Sequence, residues 1–158
     1  MTIENVFNSA KIRMIYLLLV FGAAILMLYS LFDGSGLQLH RNIFIVSIVM
    51  WLVYLFMHLV GYYYVGIGVK QKNLVLRFYN VHPFLRRYRA IEMALNSFKD
   101  YEIKTSLFGL KKTLIVTRNT ANGAIPYPPV NISAYSTTDL RKLKEFFKQL
   151  LMANNKSR

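Results

Sequence analysis

Side chains that could carry catalysis or bind a metal are few and scattered in this sequence. The 158 residues contain no cysteine, which excludes thiolate nucleophiles, thiolate zinc sites and iron–sulfur clusters. The histidines His40, His58 and His82 fall in a predicted loop, a long apolar run and a second loop. Their spacing matches neither a metal site nor a Ser-His-Asp arrangement. We therefore predict no catalytic residue, no metal ligand and no cofactor.

Asp100 and Glu102 form a pair of carboxylates whose spacing would suit acid–base chemistry. Residues two apart on a strand share one side, so the pair could in principle supply an acid and a base. Lysines lie on both sides of the pair, and a solvated charged face explains the pattern better. Gly66-x-Gly68 is not a nucleotide-binding loop, because position 71 is glutamine and no helix is predicted to follow.

Basic side chains dominate the polar residues and define the candidate binding surface. Lys and Arg number 20 against 7 Asp and Glu, which gives a formal net charge of +13. From residue 70 onward, 17 basic residues stand against 5 acidic ones. The candidate contacts to anionic lipid or to a partner protein lie on the first predicted hairpin and the strand after it: Lys70, Lys72, Arg77, Arg86, Arg87 and Arg89.

Two apolar runs position the rest of the chain. Residues 14–32 and 43–61 contain no Asp, Glu, Lys or Arg. About twenty residues at roughly 1.5 Å per residue cross a hydrocarbon core of about 30 Å, so we predict two transmembrane helices. The short turn-rich loop between them, residues 33–42, makes the helices antiparallel neighbours. A secretory signal is the alternative for the first run, but that run is too long, lacks a small-x-small cleavage site and precedes a second span.

Lys11, Arg13 and Lys70 flank the two predicted helices and indicate their orientation. The positive-inside rule places such flanks in the cytoplasm, whereas the loop holds only Arg41, which Asp33 balances. We therefore predict a two-pass membrane protein with both ends in the cytoplasm. The N-terminal segment 1–13 and the domain 62–158 would lie in the cytoplasm, and the loop 33–42 would lie outside.

Two features beside the helices have simple structural explanations. His58 is the only histidine in either apolar run, and such a residue in mid-membrane suggests a function. It lies about one turn from the predicted cytoplasmic end, where an imidazole reaches the interface, and this favours a structural role. The first dozen residues are short and mixed, which predicts a brief interfacial helix or a frayed tail.

Beyond residue 62 the hydrophobic pattern changes from a helical to an alternating period. Leu74, Leu76 and Phe78 alternate with residues of the opposite face, and a tight turn at 71–73 separates them from a strand at 64–70. Further strands are predicted at 86–93, 101–107, 112–118, 124–127 and 130–133, which makes six or seven in all.

The chain ends in an amphipathic helix that we predict to begin after an N-cap at Ser136. Leucines and a phenylalanine recur there at spacings of three and four residues: Leu140, Leu143, Phe147, Leu150 and Leu151. We interpret this stripe as the cover of the sheet. Binding of the helix to anionic lipid is the alternative.

Two segments give this pattern a resemblance to a known family. Residues 104–116, KTSLFGLKKTLIV, and 125–133, IPYPPVNIS, resemble the bacterial pleckstrin-homology-like domains that follow a two-helix membrane hairpin. The resemblance implies a membrane α-helical hairpin plus an α+β domain, an antiparallel β-barrel of six to seven strands capped by the C-terminal helix. It implies a binding or scaffolding role without a catalytic residue. Lys70, Lys72 and Arg77 loosely resemble the residues with which some eukaryotic relatives hold phosphoinositide headgroups.

Two function classes remain after these exclusions. The first is a non-enzymatic protein-docking or scaffolding module, an accessory subunit of a larger membrane complex. The second is a module that responds to anionic lipid, each nearby Lys or Arg adding about 1 kcal/mol. The membrane tether makes recruitment by lipid redundant, which favours the first. Nucleic-acid binding ranks last, because no predicted element interleaves arginines with stacking aromatics.

Overall fold

The computed structural model describes residues 2–32, 37–84, 87–121 and 123–156. Its helices are α1 (Val6–Phe32), α2 (Leu37–Val60) and α3 (Thr137–Lys156). One antiparallel sheet contains, in spatial order, β1 (Thr2–Glu4), β2 (Tyr63–Lys70), β3 (Asn73–Asn80) and β4 (Arg89–Ala94). The second contains β5 (Phe98–Ser106), β6 (Lys111–Thr120), β7 (Gly123–Pro126) and β8 (Val130–Asn131), and both β7 and β8 pair with β6.

Helices α1 and α2 form a long apolar hairpin. Their most apolar windows have mean hydropathies of 2.4 and 2.5, and only 17% of each window is buried. A core helix of a soluble protein would be mostly buried, so length, composition and exposure together fit helices that could span a membrane. Both helices are longer than predicted, since they extend to Val6 and Leu37. His40 therefore lies on α2 rather than in a loop, and residues 33–36 lie outside the described part of the chain.

The N-terminal residues contribute a strand that the sequence pattern did not predict. Thr2–Glu4 pair antiparallel with residues 66–68 of β2, and the side chain of Ile3 is buried in the core. The chain then passes through Asn5 and enters α1 at Val6. Residues 2–4 are therefore neither a frayed tail nor a helix, and residues 6–12 are helical as the first part of α1. Because β1 and β2 share one sheet, the N-terminus and the sheet domain lie at the same end of the hairpin.

Asn5, which follows β1, forms hydrogen bonds to the neighbouring strand β2. Its side-chain oxygen accepts a hydrogen bond from the Val65 amide at 2.8 Å, and its Nδ2 donates to the Tyr63 carbonyl at 2.9 Å. Asn5 is only 2% exposed, so water cannot replace these bonds without a rearrangement. The Tyr135 hydroxyl donates to the Val65 carbonyl at 2.8 Å, and burial raises the pKa of this phenol above its usual value.

We expect Asn5→Ala to destabilise the full chain by about 1 to 3 kcal/mol, because it leaves the buried Val65 amide without an acceptor. Chemical unfolding in detergent micelles measures the change. Asn73→Ala is the matched control, since Asn73 also uses its amide on this sheet but bonds the exposed Glu92 at 2.8 Å. Equal effects of the two substitutions would show that β1 is not a stable part of the sheet.

The two sheets do not close into a barrel within the described residues. A single 3₁₀ turn, Leu95–Ser97, joins β4 to β5, but no hydrogen-bonded ladder connects these strands. The edge formed by β1 likewise has no ladder to the second sheet. The prediction of an antiparallel β domain with a C-terminal helix is confirmed. The closed barrel that the resemblance implied is not confirmed, because the described residues form two separate sheets with the turn at Leu95–Ser97 between β4 and β5.

Helix α3 covers the core between the sheets. The Ser136 hydroxyl accepts a hydrogen bond from the Asp139 amide at 3.1 Å, which confirms the predicted N-cap. Leu143 and Phe147 are fully buried, and the Phe147 ring stacks on Tyr101 at 4.6 Å between centroids. Phe146 is also buried, although the predicted stripe did not include it. The apolar face of α3 is thus part of the core and is not free to lie on lipid.

Candidate functional site

Several hydrogen bonds connect the hairpin to the sheets at the end of α2, and we refer to this region as the junction. Gly61 ends α2 with a φ of +66° and donates its amide to the Met57 carbonyl at 3.1 Å, a common helix C-terminal arrangement. The buried Asn131 side chain donates from Nδ2 to the Val60 carbonyl at 2.7 Å. Its oxygen accepts from the Ser133 amide at 2.9 Å. The last turn of α2 is therefore bonded directly to β8.

An aromatic and histidine cluster continues this junction on the side of α1. It comprises Tyr16 of α1, Tyr54 and His58 of α2, and His82 of the loop after β3. Tyr16 is 1% exposed, and its ring lies 5.3 Å from that of His82. The rings of His58 and His82 are 5.5 Å apart. Their positions in the sequence, 24 residues apart in an apolar run and a loop, do not indicate this contact, and only the folded loop brings the two histidines together.

His82 is held as a neutral ring within this cluster. The Phe84 amide donates to its Nδ1 at 3.3 Å, so the proton of the neutral imidazole lies on Nε2 and is donated to the Tyr54 hydroxyl oxygen at 2.8 Å. Burial, and secondarily the proximity of His58, lowers the pKa of His82 below its usual value. The described residues contain no group of three or more His, Cys, Asp or Glu that could hold a metal ion.

Beside this cluster, the two sheets and the end of α2 enclose a depression of about 480 Å³. Arg89 from β4 and Lys111 from β6 line it from opposite sheets, together with His58 of α2. The polar side chains of Asn80, Thr113 and Asn131 complete the wall, and no acidic residue is among the described residues that line it. The depression therefore has the charge of a site for an anionic group and lies at the end of the hairpin.

The predicted basic residues do not form one surface. Lys70 and Lys72 lie at the β2–β3 turn, where Gln71 and Lys72 both have positive φ as in a type I′ turn. Lys70 pairs with Asn73 at this end of the sheet, whereas Arg89 pairs with Phe78 towards the other end. Asn73 and Phe78, the β3 members of these two pairs, are separated along the strand by roughly 17 Å, at about 3.3 Å per residue. Arg87 lies near Arg89 in the chain, and Arg86 is outside the described residues.

Arg77 and Lys70 line a groove of about 280 Å³ on the outer face of the first sheet. Glu4 lies in the same groove and accepts a hydrogen bond from the Tyr64 hydroxyl at 2.8 Å. Burial and this bond raise the pKa of Tyr64 to about 12, so the phenol stays protonated and the carboxylate stays paired. A carboxylate in the groove makes it a poorer site for phosphate than the junction depression.

Asp100 and Glu102 do not meet as an acid and a base. The Asp100 side chain accepts a hydrogen bond from the Tyr101 amide at 2.7 Å. Glu102 forms an ion pair with Lys104 at 3.5 Å, in which both side chains are 60% exposed. Exposed pairs of this kind contribute little to stability. The solvated face that the sequence indicated is therefore what the two residues form.

Comparison with known proteins adds no assignment to this geometry. No family, no curated protein and no solved structure matches the chain.

Proposed function

We propose that the chain is a non-enzymatic two-pass protein of a bacterial inner membrane whose cytoplasmic domain docks a partner protein as an accessory subunit of a larger complex. The basic flanks Lys11, Arg13 and Lys70 support the orientation. The pairing of β1 with β2 supports a two-pass arrangement, because it requires the N-terminus and the domain to share one side of the membrane. The basic flanks alone indicate that this side is the cytoplasm. The proposal includes the pleckstrin-homology-like relationship, which the two sheets and the C-terminal helix fit.

The free edge of β5 is the observation that carries the docking function. This nine-residue strand pairs with β6 on one side and has no strand partner on the other among the described residues. The Phe98 carbonyl accepts from Asn154 at 3.0 Å and the Tyr101 amide donates to the Asp100 side chain at 2.7 Å. Elsewhere along such an edge, an extended peptide can bond the backbone amide and carbonyl groups and add as a further strand. Exposed charged residues along it, Lys99, Asp100, Glu102 and Lys104, would discourage unselective pairing and give a partner its register.

The hydrogen bonds at the junction suit a docking role because they fix the position of the β5 edge relative to the hairpin. β1 and Asn5 connect the sheets to the start of α1, and Asn131 connects them to the last turn of α2, through buried contacts. The domain is therefore presented at one height and orientation, which reduces the entropy lost when a membrane partner binds.

The test uses charge reversals on the full chain purified with its associated proteins in mild detergent. We expect Glu102→Lys and Lys104→Glu each to reduce the recovered partner, because both change the exposed edge without removing a buried contact. Arg141→Glu and Glu145→Lys, exposed on α3, are matched controls that should leave recovery unchanged. A partner that is lost equally in all four variants, or in none, would contradict docking at β5.

Binding of anionic lipid is the second candidate, and the junction depression favours it. Arg89 and Lys111 face one space at the end of the hairpin without an acid among its described lining residues. A lipid phosphate at headgroup depth would meet both cations there. If the purified chain carries anionic lipid but no protein, and Arg89→Ala removes that lipid, this candidate replaces the first.

A further inference from the structure

The turn between β5 and β6 exposes an unusual concentration of apolar surface. Leu107, Phe108 and Leu110 are 44%, 106% and 49% exposed, so Phe108 contacts essentially nothing else in the chain. The Leu110 amide donates to the Leu107 carbonyl at 3.1 Å and closes the turn. Leu107 and Phe108 both have positive φ values, which large side chains rarely adopt. We refer to residues 107–110 as the apolar tip.

The apolar tip lies at the end of the domain that meets the hairpin. Thr113 of β6 pairs with Asn131, whose side chain is bonded to the Val60 carbonyl at 2.7 Å. Lys111, the residue after the tip, lines the same depression as His58 and Leu59 of the last turn of α2. The tip therefore leaves its sheet at the level where α2 ends. The opposite end of the ten-residue β6 lies roughly 30 Å away.

Lysines flank the apolar tip on both of its strands. Lys111 and Lys112 follow it on β6, and Lys104 precedes it on β5. Glu102, which pairs with Lys104, is the acidic residue nearest to the tip in sequence. An apolar end flanked by lysines matches the boundary between acyl chains and anionic headgroups, where both kinds of group are stabilised together.

We propose that the apolar tip inserts into the lipid bilayer as a third anchor of the domain. Leu107, Phe108 and Leu110 enter the outer part of the acyl region, while Lys111 and Lys112 meet lipid phosphates. The inference rests on the proposed membrane placement of the hairpin, and it goes beyond the docking function. Insertion of the tip explains why a fully exposed phenylalanine lies at this end of β6. It also fixes the tilt of the domain relative to the membrane, in addition to the distance between the two.

The absence of cysteine allows a direct depth measurement on the full chain. Phe108→Cys is labelled with a polarity-sensitive fluorophore, and the protein is reconstituted in nanodiscs that contain anionic lipid. We expect blue-shifted emission and a loss of fluorescence when the lipids carry a nitroxide near the headgroup end of the acyl chain. A nitroxide near the methyl end should quench less, because the tip enters only the outer part of the bilayer.

Two matched labels separate the possible outcomes. Ala121→Cys, exposed in the turn at the opposite end of β6, should show neither the shift nor the quenching. Leu52→Cys, 59% exposed on α2, should be quenched most by the nitroxide near the methyl end. Quenching at 52 without quenching at 108 would overturn the tip proposal alone and leave the tip for a protein partner. Absence of quenching at 52 would overturn the membrane placement itself.

A second variant tests the contribution of the Phe108 ring with the label placed elsewhere. Phe108→Asn removes the apolar ring, and asparagine is among the residues that best tolerate a positive φ, so the turn is retained. The fluorophore is attached through Leu110→Cys, once in the otherwise unchanged chain and once together with Phe108→Asn. The double variant should lose most of the quenching that the single variant shows. Unchanged quenching in a double variant with an unchanged unfolding midpoint would contradict insertion through Phe108.

Discussion

Phe147→Ala is expected to lower the free energy of unfolding of the full chain by about 3 to 5 kcal/mol, and Leu143→Ala by about 2 to 5 kcal/mol. Both side chains are fully buried where α3 covers the two sheets. Phe147 also stacks on Tyr101 and Phe98, with ring centroids at 4.6 Å and 5.7 Å, so its removal opens a cavity between α3 and β5. A domain of this size has few such contacts to lose.

The measurement is chemical unfolding of the full chain in detergent micelles, followed by the loss of β-sheet circular dichroism. The full chain is required because β1 precedes the hairpin and β2 follows it directly, so a fragment from residue 70 would lack two strands of the first sheet. Met152→Ala is the control on the same helix, since this side chain is 54% exposed. Midpoints unchanged by Leu143→Ala and Phe147→Ala would mean that α3 lies on the bilayer and does not close the core.

Local patterns explain what could be predicted from the sequence. The alternation of Leu74, Leu76 and Phe78 predicts the correct buried face of β3, because successive side chains on a strand point to opposite faces of the sheet. Ser136 gave the start of α3, because a cap bond forms between residues three apart. The two apolar runs gave the hairpin, although the helices extend further than the uncharged stretches.

The missed features depend on contacts between distant parts of the chain. β1 has three residues, too few for a visible period, and its pairing joins residues more than sixty positions apart. His58 and His82 meet because the loop after β3 folds back onto the end of α2. The basic residues divided into two groups because Lys70 ends β2 and Arg89 begins β4, and these positions lie towards opposite ends of the sheet.

The position of the apolar tip also depends on a contact between distant parts of the chain. The sequence predicts a strand that ends at Leu107, and nothing in the pattern marks the exposure of Leu107, Phe108 and Leu110. Their proximity to the hairpin follows from the bond between Asn131 and Val60, which joins residues 71 positions apart. An asparagine in a short strand carries no sequence signal for such a bond.

The topology of the hairpin is the central claim, and fusion reporters in a bacterial host test it most directly. A reporter that is active only outside the cytoplasm should be silent after Arg158 and active when inserted at Ser35, with a cytoplasm-specific reporter giving the reverse. A reporter at the N-terminus must agree with the one after Arg158, because β1 and β2 belong to one sheet. We predict silence at both termini and full activity at Ser35. External activity after Arg158 would contradict the cytoplasmic docking module, and activity at only one terminus would contradict the sheet that joins them.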